Sequence, residues 1–147
     1  MPGVLCLNAA AYCIRHALWY MIIAEVRKMT RDELDRYIWE RYACAADHPW
    51  EDSPENAVYR HRDSRKWFAL VMDIGKEKLG LEEDGKISVV NVKCDPVLNG
   101  SLRGEPGFYP AYHMNKENWI TIALDGSAQD EMVCRMVDMS YRATKRK

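Results

Sequence analysis

Apolar positions in this chain change period along its length, and each change predicts an element. Leu7, Ala11, Ile14, Leu18, Met21 and Ile22 recur on one face at helical spacing, with Asn8 placed to cap them, so residues 1–28 read as an amphipathic helix. Thr30-Arg31-Asp32-Glu33 has the form of a capping box, and Leu34, Tyr37, Ile38, Arg41 and Tyr42 continue it as a second helix. His48-Pro49 forbids its continuation, which puts its end near Cys44 to Asp47. Strand-forming runs then follow at Ala57–Arg60, Lys66–Met72, Ile87–Val92 and Trp119–Leu124. The turns between the first three are marked by the polar run His61–Arg65 and by Gly75, Gly80 and Asp84-Gly85. Asp95-Pro96 starts a short helix, which Asn99-Gly100 weakens and Gly104, Pro106 and Gly107 end. Ser127, with Asp130 three residues on, caps a last helix whose buried face is Met132, Val133, Met136, Val137 and Tyr141. The tail Thr144 to Lys147 is basic, which suits a helix C-terminus. Consecutive strands with short turns predict an α+β fold: an antiparallel sheet with helices packed on one face, plus the extra N-terminal helix.

Composition narrows the picture. The chain has 147 residues, 48% hydrophobic and 29% charged, with a formal net charge of −1. That balance suits a single globular core and gives no bulk attraction to phosphate, so any nucleic-acid surface must be local. The uncharged run after Arg15 and His16 is shorter than the roughly 20 apolar residues a membrane span needs, and no positive charge precedes Arg15, as a signal peptide would want before its apolar run. Two readings stay open for residues 1–28: a helix packed on the domain or on a second copy as a homodimer contact, or an upstream extension before a natural beginning at Met29. The domain proper is then 29–147. The five cysteines form no Cys-x-x-Cys pair, which points to reduced thiols and a cytoplasmic setting.

Candidate chemistry concentrates in two places. Arg60, Arg62, Arg65 and Lys66 surround His61 with only Asp63 opposing, a local net charge of +3. Such a hairpin turn can lie along a phosphate backbone; a plain solvated turn is the alternative. Lys93 and Lys116 are lesser cationic candidates, and the turn Lys76 to Lys86, with Glu77, Glu82, Glu83 and Asp84 against three lysines, would repel phosphate weakly. The second place holds Cys94, Tyr112, His113, Asn115, Lys116 and Trp119. Cys94 before a helix start is either an activated thiol or a buried strand-end cysteine. Strand alternation would send Tyr112 and Met114 to one face and His113 and Asn115 to the other. His113, Asn115 and Lys116 could grip a small anion, or Asn115 and His113 could serve the turn itself. A Cys94–His113 dyad has no local nucleophile motif behind it, the four histidines show no metal-ligand spacing, and no cofactor is implied.

The segments Val90-Asn91-Val92-Lys93-Cys94-Asp95-Pro96 and Pro110-Ala111-Tyr112-His113-Met114-Asn115-Lys116, with Trp67–Met72, Trp119, Leu124-Asp125-Gly126 and Ser140-Tyr141, resemble the MmcQ/YjbR family of small bacterial proteins. The resemblance covers about residues 29 to 147. It implies a frataxin-like (CyaY-like) fold with two β-hairpin wings and carries the family's DNA-binding label. Asn99-Gly100 departs from the good helix formers usual there, Ala111 from the more usual Gly, and residues 1–28 have no counterpart. Iron handling is not carried over, because Asp32, Glu33, Asp35 and Glu40 are interleaved with Arg31, Arg36 and Arg41 rather than forming an acidic ridge. The resulting expectation is a non-catalytic protein that binds DNA weakly through Arg60, Arg62, Arg65 and Lys66. The alternatives are a small-ligand or enzymatic site around Cys94 and His113, and a protein-interaction module using the N-terminal helix.

Overall fold

The computed structural model of the protein describes residues 28–145. The helix expected within residues 1–28 and the last two basic residues of the tail therefore lie outside the described part. Helix α1 spans Arg31–Tyr42 and begins as the sequence predicts. The Glu33 amide donates to Thr30 Oγ1 (3.2 Å), and the Thr30 amide donates to Glu33 Oε2 (3.0 Å). Its end comes earlier than His48-Pro49 requires. Ala43 turns into the left-handed region (φ 51°) and donates its N–H to the Trp39 carbonyl. A non-glycine residue rarely adopts that conformation, so the sequence carries no mark of it.

Strands β1 (Ala57–Arg60), β2 (Trp67–Gly75), β3 (Lys86–Lys93), β4 (Phe108–Pro110) and β5 (Trp119–Ala123) form one antiparallel sheet in the order β1-β2-β3-β5-β4. Helix α2 (Pro96–Leu102) connects β3 to β4, and α3 (Asp130–Thr144) closes the chain. Asp95 caps α2 as expected, accepting from the Val97 and Leu98 amides. Three boundaries are corrected. Strand β2 runs on to Gly75, followed by a 3-10 turn at Lys76–Leu79 where a plain loop was expected. The strand β4 was not foreseen: three residues ending in Pro110 show no alternation, and proline is tolerated there because β4 is an edge. Ser127 does not cap α3, which begins three residues later with Gln129 at the cap position. Ser127 is instead held by Asp125, whose Oδ1 accepts from both its amide and its hydroxyl.

The sheet separates two apolar layers. On one face Val71, Val90, Val92, Ile120 and Ile122 meet Leu34 and Ile38 of α1 and Val133, Met136 and Val137 of α3. On the other, Val58, Leu70, Met72, Ile74, Ile87 and Val89 are covered by Trp50, Leu81, Tyr112 and Met114 from loops, with Trp67 of β2 and Tyr109 of β4. Helices thus occupy one face, as expected, but the second face is dry as well. Loops buried in this way need their backbone polar groups satisfied from inside. Asn91 does so from β3: its Nδ2 donates to the Tyr112 carbonyl (2.7 Å), its Oδ1 accepts from Thr121 Oγ1, and the Thr121 oxygen accepts from the Tyr112 amide (3.0 Å).

A register shift between Tyr59 and Arg60 pairs Tyr59 with Ala69 and Arg60 with Trp67. Phe68 is the extra residue, and the bulge turns it to the helix side, where it is fully buried against His61 and Tyr141 (ring centroids 5.3 and 5.0 Å). His61 itself is 1% exposed, with Nε2 2.7 Å from Thr144 Oγ1 at the end of α3. Burial lowers its pKa. The sign follows: the unfolded chain takes up this proton at a higher pH, near 6.5, than the folded one does. The stability His61 supplies is present above that value and is lost as pH falls through the depressed folded pKa. Thermal melts from pH 7.5 to 4.5 should show a steeper acid decline in the parent than in a His61→Gln variant. Parallel declines would show that His61 does not set that limb.

Candidate nucleic-acid interface

Strand register brings the predicted cations to one end of the sheet. The β1–β2 turn of residues 61–66, the C-terminal end of β3 and the N-terminal end of β5 all lie there, because Arg60 pairs with Trp67 and Lys93 with Trp119. Adjacent strands are about 4.8 Å apart, so β1 to β5 spans roughly 15 Å. The C-termini of α1 and α3 reach the same end, since Cys44 and Arg62 share one groove and Thr144 touches His61. At the opposite end lie the acidic Lys76–Lys86 turn, Asp125 and the first turns of α1 and α3 with Asp32, Glu33, Asp130 and Glu131. Among the described residues charge is thus unevenly placed along the strands: residues 60–66 carry four cations against Asp63, and the Lys76–Lys86 turn four carboxylates against three lysines.

The cations differ in availability. Arg60 is committed to structure: its Nε lies 3.0 Å from Asp47 Oδ2 and its guanidinium sits 5.4 Å from the centre of the Trp67 ring. Asp47 in turn exchanges two backbone hydrogen bonds with Val58, so this pair fixes the edge of the sheet. Arg65 is exposed, with backbone in the left-handed region (φ 60°) and only a 3.9 Å approach to Asp47. Arg62 and Lys66 are exposed, and among the described residues no ion pair engages either. The turn that carries them is anchored from below by His61, whose amide donates to the Lys66 carbonyl and whose carbonyl accepts from the Arg65 amide. Lys93 is half-buried, and its amide donates to Ser140 Oγ, whose hydroxyl in turn donates to the Phe68 carbonyl. Lys116 is exposed, and its Nζ donates to the Ala111 carbonyl.

The second predicted cluster does not assemble. Cys94 follows Val90 and Val92 into the helix-side core and is 4% exposed, whereas His113 is exposed beyond the loop-side core. Burial, with Asp95 nearby, raises the Cys94 pKa, the opposite of an activated thiol. Residues 112–114 are bends rather than a strand, so their alternation does not apply, though Tyr112 and Met114 do pack inward. Asn115 serves the turn: its Oδ1 accepts from the Glu117 and Asn118 amides. Trp119 is half-buried at the start of β5. Tyr112 and His113 do line a hollow of about 240 Å³, shared with Glu55, Asp73 and Lys78. Two carboxylates against one ammonium make it a poor receptacle for an anion.

Sequence reasoning missed what holds the loop before β5 in place. Asn99, 1% exposed inside α2, donates through Nδ2 to the carbonyls of Lys116, Glu117 and Trp119 and accepts from Arg103 Nε. Arg103 also donates to the Lys116 carbonyl. A helix-weakening residue at that position is therefore a brace for the loop that carries Lys116. Among the described residues no group of His, Cys, Asp and Glu is arranged to hold a metal ion, and no helix is long and apolar enough to cross a membrane.

Comparison with known proteins agrees with this architecture. The YjbR family model matches residues 40–143. The protein YyaQ of Bacillus subtilis, itself uncharacterised, is 36% identical over 117 residues, which is 80% of this chain and 99% of that protein. A crystal structure of a Pseudomonas syringae protein shares 44% identity with a TM-score of 0.78, covering 80% of this chain and all of that one. The Deinococcus radiodurans protein DR2400 is alike in fold, at 23% identity and a TM-score of 0.63 over 84% of this chain and 83% of its own.

Proposed function

This chain belongs to the YjbR family, and on that premise we propose that it is a non-catalytic protein that binds the phosphate backbone of nucleic acid weakly through the basic end of its sheet. One observation carries the reading: exposed Arg62, Arg65 and Lys66 share an end of the fold with Lys93 and Lys116, while the acidic turn lies at the other end. A molecule polarised in this way approaches a polyanion with its basic end first, even at a net charge near zero. Contacts of this kind position the protein without reading bases. Arg60 supports the surface by holding the turn against Asp47 and Trp67. The free thiols Cys44, Cys94 and Cys134 suit a reducing compartment, in line with a cytoplasmic setting.

Binding of a labelled DNA duplex, followed by fluorescence anisotropy across a salt series, tests the reading. Each phosphate contact releases condensed counterions, so affinity should fall steeply with salt. Replacing Arg62 and Arg65 together by alanine should lower the log–log slope by about 2, with similar losses for every sequence. Folding should be spared, since exposed-turn substitutions usually cost within about 0.5 kcal/mol. An unchanged slope would take the turn out of the mechanism. No binding at low salt would end the nucleic-acid reading.

A further inference from the structure

The turn that carries the arginines forms one wall of a groove, and the opposite wall holds an aromatic ring with no core to pack into. Trp39, in the last turn of α1, is 56% exposed, the larger of two bulky aliphatic or aromatic side chains left open on the helices α1 and α3. It shares a groove of about 300 Å³ with Ala43, Asp47, Arg60, Arg62 and Arg65. We propose that this groove takes an unstacked base of single-stranded nucleic acid on the Trp39 ring, with the adjoining phosphate on Arg62 and Arg65.

This proposal rests on the phosphate-directed reading and gives it a preferred substrate class. An indole exposed beside two available guanidinium groups matches both parts of a nucleotide: the flat face of a base and the charge next to it. Within the groove the two parts are sorted. Trp39 lies in the last turn of α1, at the negative end of the helix dipole, which disfavours a phosphate there. Asp47 holds Arg60 closely (3.0 Å) and Arg65 only loosely (3.9 Å), which leaves Arg62 and Arg65 to meet the anion. A duplex cannot use the ring in this way, because the faces of its bases are covered by their own stacking. The single strand should therefore bind more tightly, although it carries the lower charge density.

The test titrates the full chain at low salt with three probes of about 16 units: an oligothymidylate strand, an abasic strand of the same length and a duplex. The oligothymidylate should bind roughly tenfold more tightly than the other two and quench tryptophan fluorescence. Trp39→Ala should remove that tenfold advantage and most of the quenching, and leave affinity for the abasic strand and the duplex unchanged. Trp39→Phe should keep most of the advantage, since its ring still stacks. Equal binding of strand and duplex, or an oligothymidylate affinity indifferent to Trp39→Ala, would overturn the proposal and leave the phosphate reading standing. Failure of all three probes to bind would remove both. A Trp39→Ala variant that changes only its sedimentation would make the groove a contact between copies of this chain, and would overturn the proposal equally.

Discussion

Replacing Phe68 by alanine is expected to lower the free energy of unfolding by about 3–5 kcal/mol, read from urea denaturation midpoints at constant slope. The ring is completely buried, and four others gather on it from separate parts of the chain: Tyr42 of α1, Tyr59 of β1, His61 of the basic turn and Tyr141 of α3, with centroids between 5.0 and 6.4 Å away. A cavity there would open where α1, α3 and the sheet meet, and neighbours tied by their own hydrogen bonds are poorly placed to collapse into it. His61 is held by Thr144, and Tyr59 donates to Asp35 Oδ1 (2.8 Å). Typical domains are stable by only about 5–15 kcal/mol, so this one substitution should consume a large share of the total. Because the ring also supports His61, and His61 anchors residues 61–66, any nucleic-acid affinity should weaken in the same variant. Phe68→Leu, which fills most of the volume, should cost clearly less. A loss below about 1 kcal/mol for the alanine variant would show that the ring cluster is not a keystone of the core.

Phe68 also marks the limit of what could be read from the sequence. Alternation along Trp67–Met72 would place it with Leu70 and Met72 on the loop side. The bulge opposite Tyr59/Arg60 instead sends it to the helix side, directly before Ala69 and Val71. A bulge depends on how two strands match, and no single segment records that. Elements fixed by local chemistry were legible: the Thr30–Glu33 box, the Asp95-Pro96 start, strand β1 and the apolar face of α3. So was the family, from the resemblance carried by the runs around Asn91 and Tyr112, and the family model matches residues 40–143. Those runs turn out to hold a buried network in which Asn91 and Thr121 satisfy the backbone of Tyr112. The candidate site was legible as a cluster of charges in the 61–66 turn but not as a surface. Which cations were already committed, as Arg60 is to Asp47, depends on contacts between distant residues. So does the gathering of Lys93 and Lys116 at the same end of the sheet, which follows from strand order. Trp39 carried no signal at all, since an aromatic residue on a helix is more often core than surface.

The second large effect is expected at Asp138, where a carboxylate on α3 gathers three donors from α1. Its Oδ2 accepts from the Tyr37 hydroxyl (2.8 Å), its Oδ1 accepts from the Tyr42 hydroxyl, and Arg41 Nε lies 3.0 Å away. Leu34 and Ile38 are the buried residues of α1 and Tyr42 stacks on Tyr141 of α3 (3.8 Å), and this carboxylate adds a polar link between the same two helices. Asp138→Ala should cost about 2–4 kcal/mol. Hydrogen bonds to a charged acceptor are worth about 1.5–3 kcal/mol each when removal leaves partners stranded. Arg41 should add little, because its side chain is 54% exposed. The penalty should also depend on pH, with a defined sign. Burial and the hydrogen bond to Asp138 raise the pKa of both tyrosines, and that of Tyr42 is pushed up to about 12. The folded state therefore keeps protons that the unfolded chain releases near pH 10. Their contribution is fully present below pH 10 and is lost as pH rises through the raised folded values, about 12 for Tyr42. Parent and Asp138→Ala variant should thus differ most at neutral pH and converge in alkali, as ionised phenols come to repel the carboxylate they had donated to. Asp138→Asn, which still accepts but carries no charge, should fall between the two at neutral pH. Unfolding curves collected at pH 7, 9 and 11 would decide the matter: a gap that stays constant across that range would mean the tyrosines do not act through Asp138.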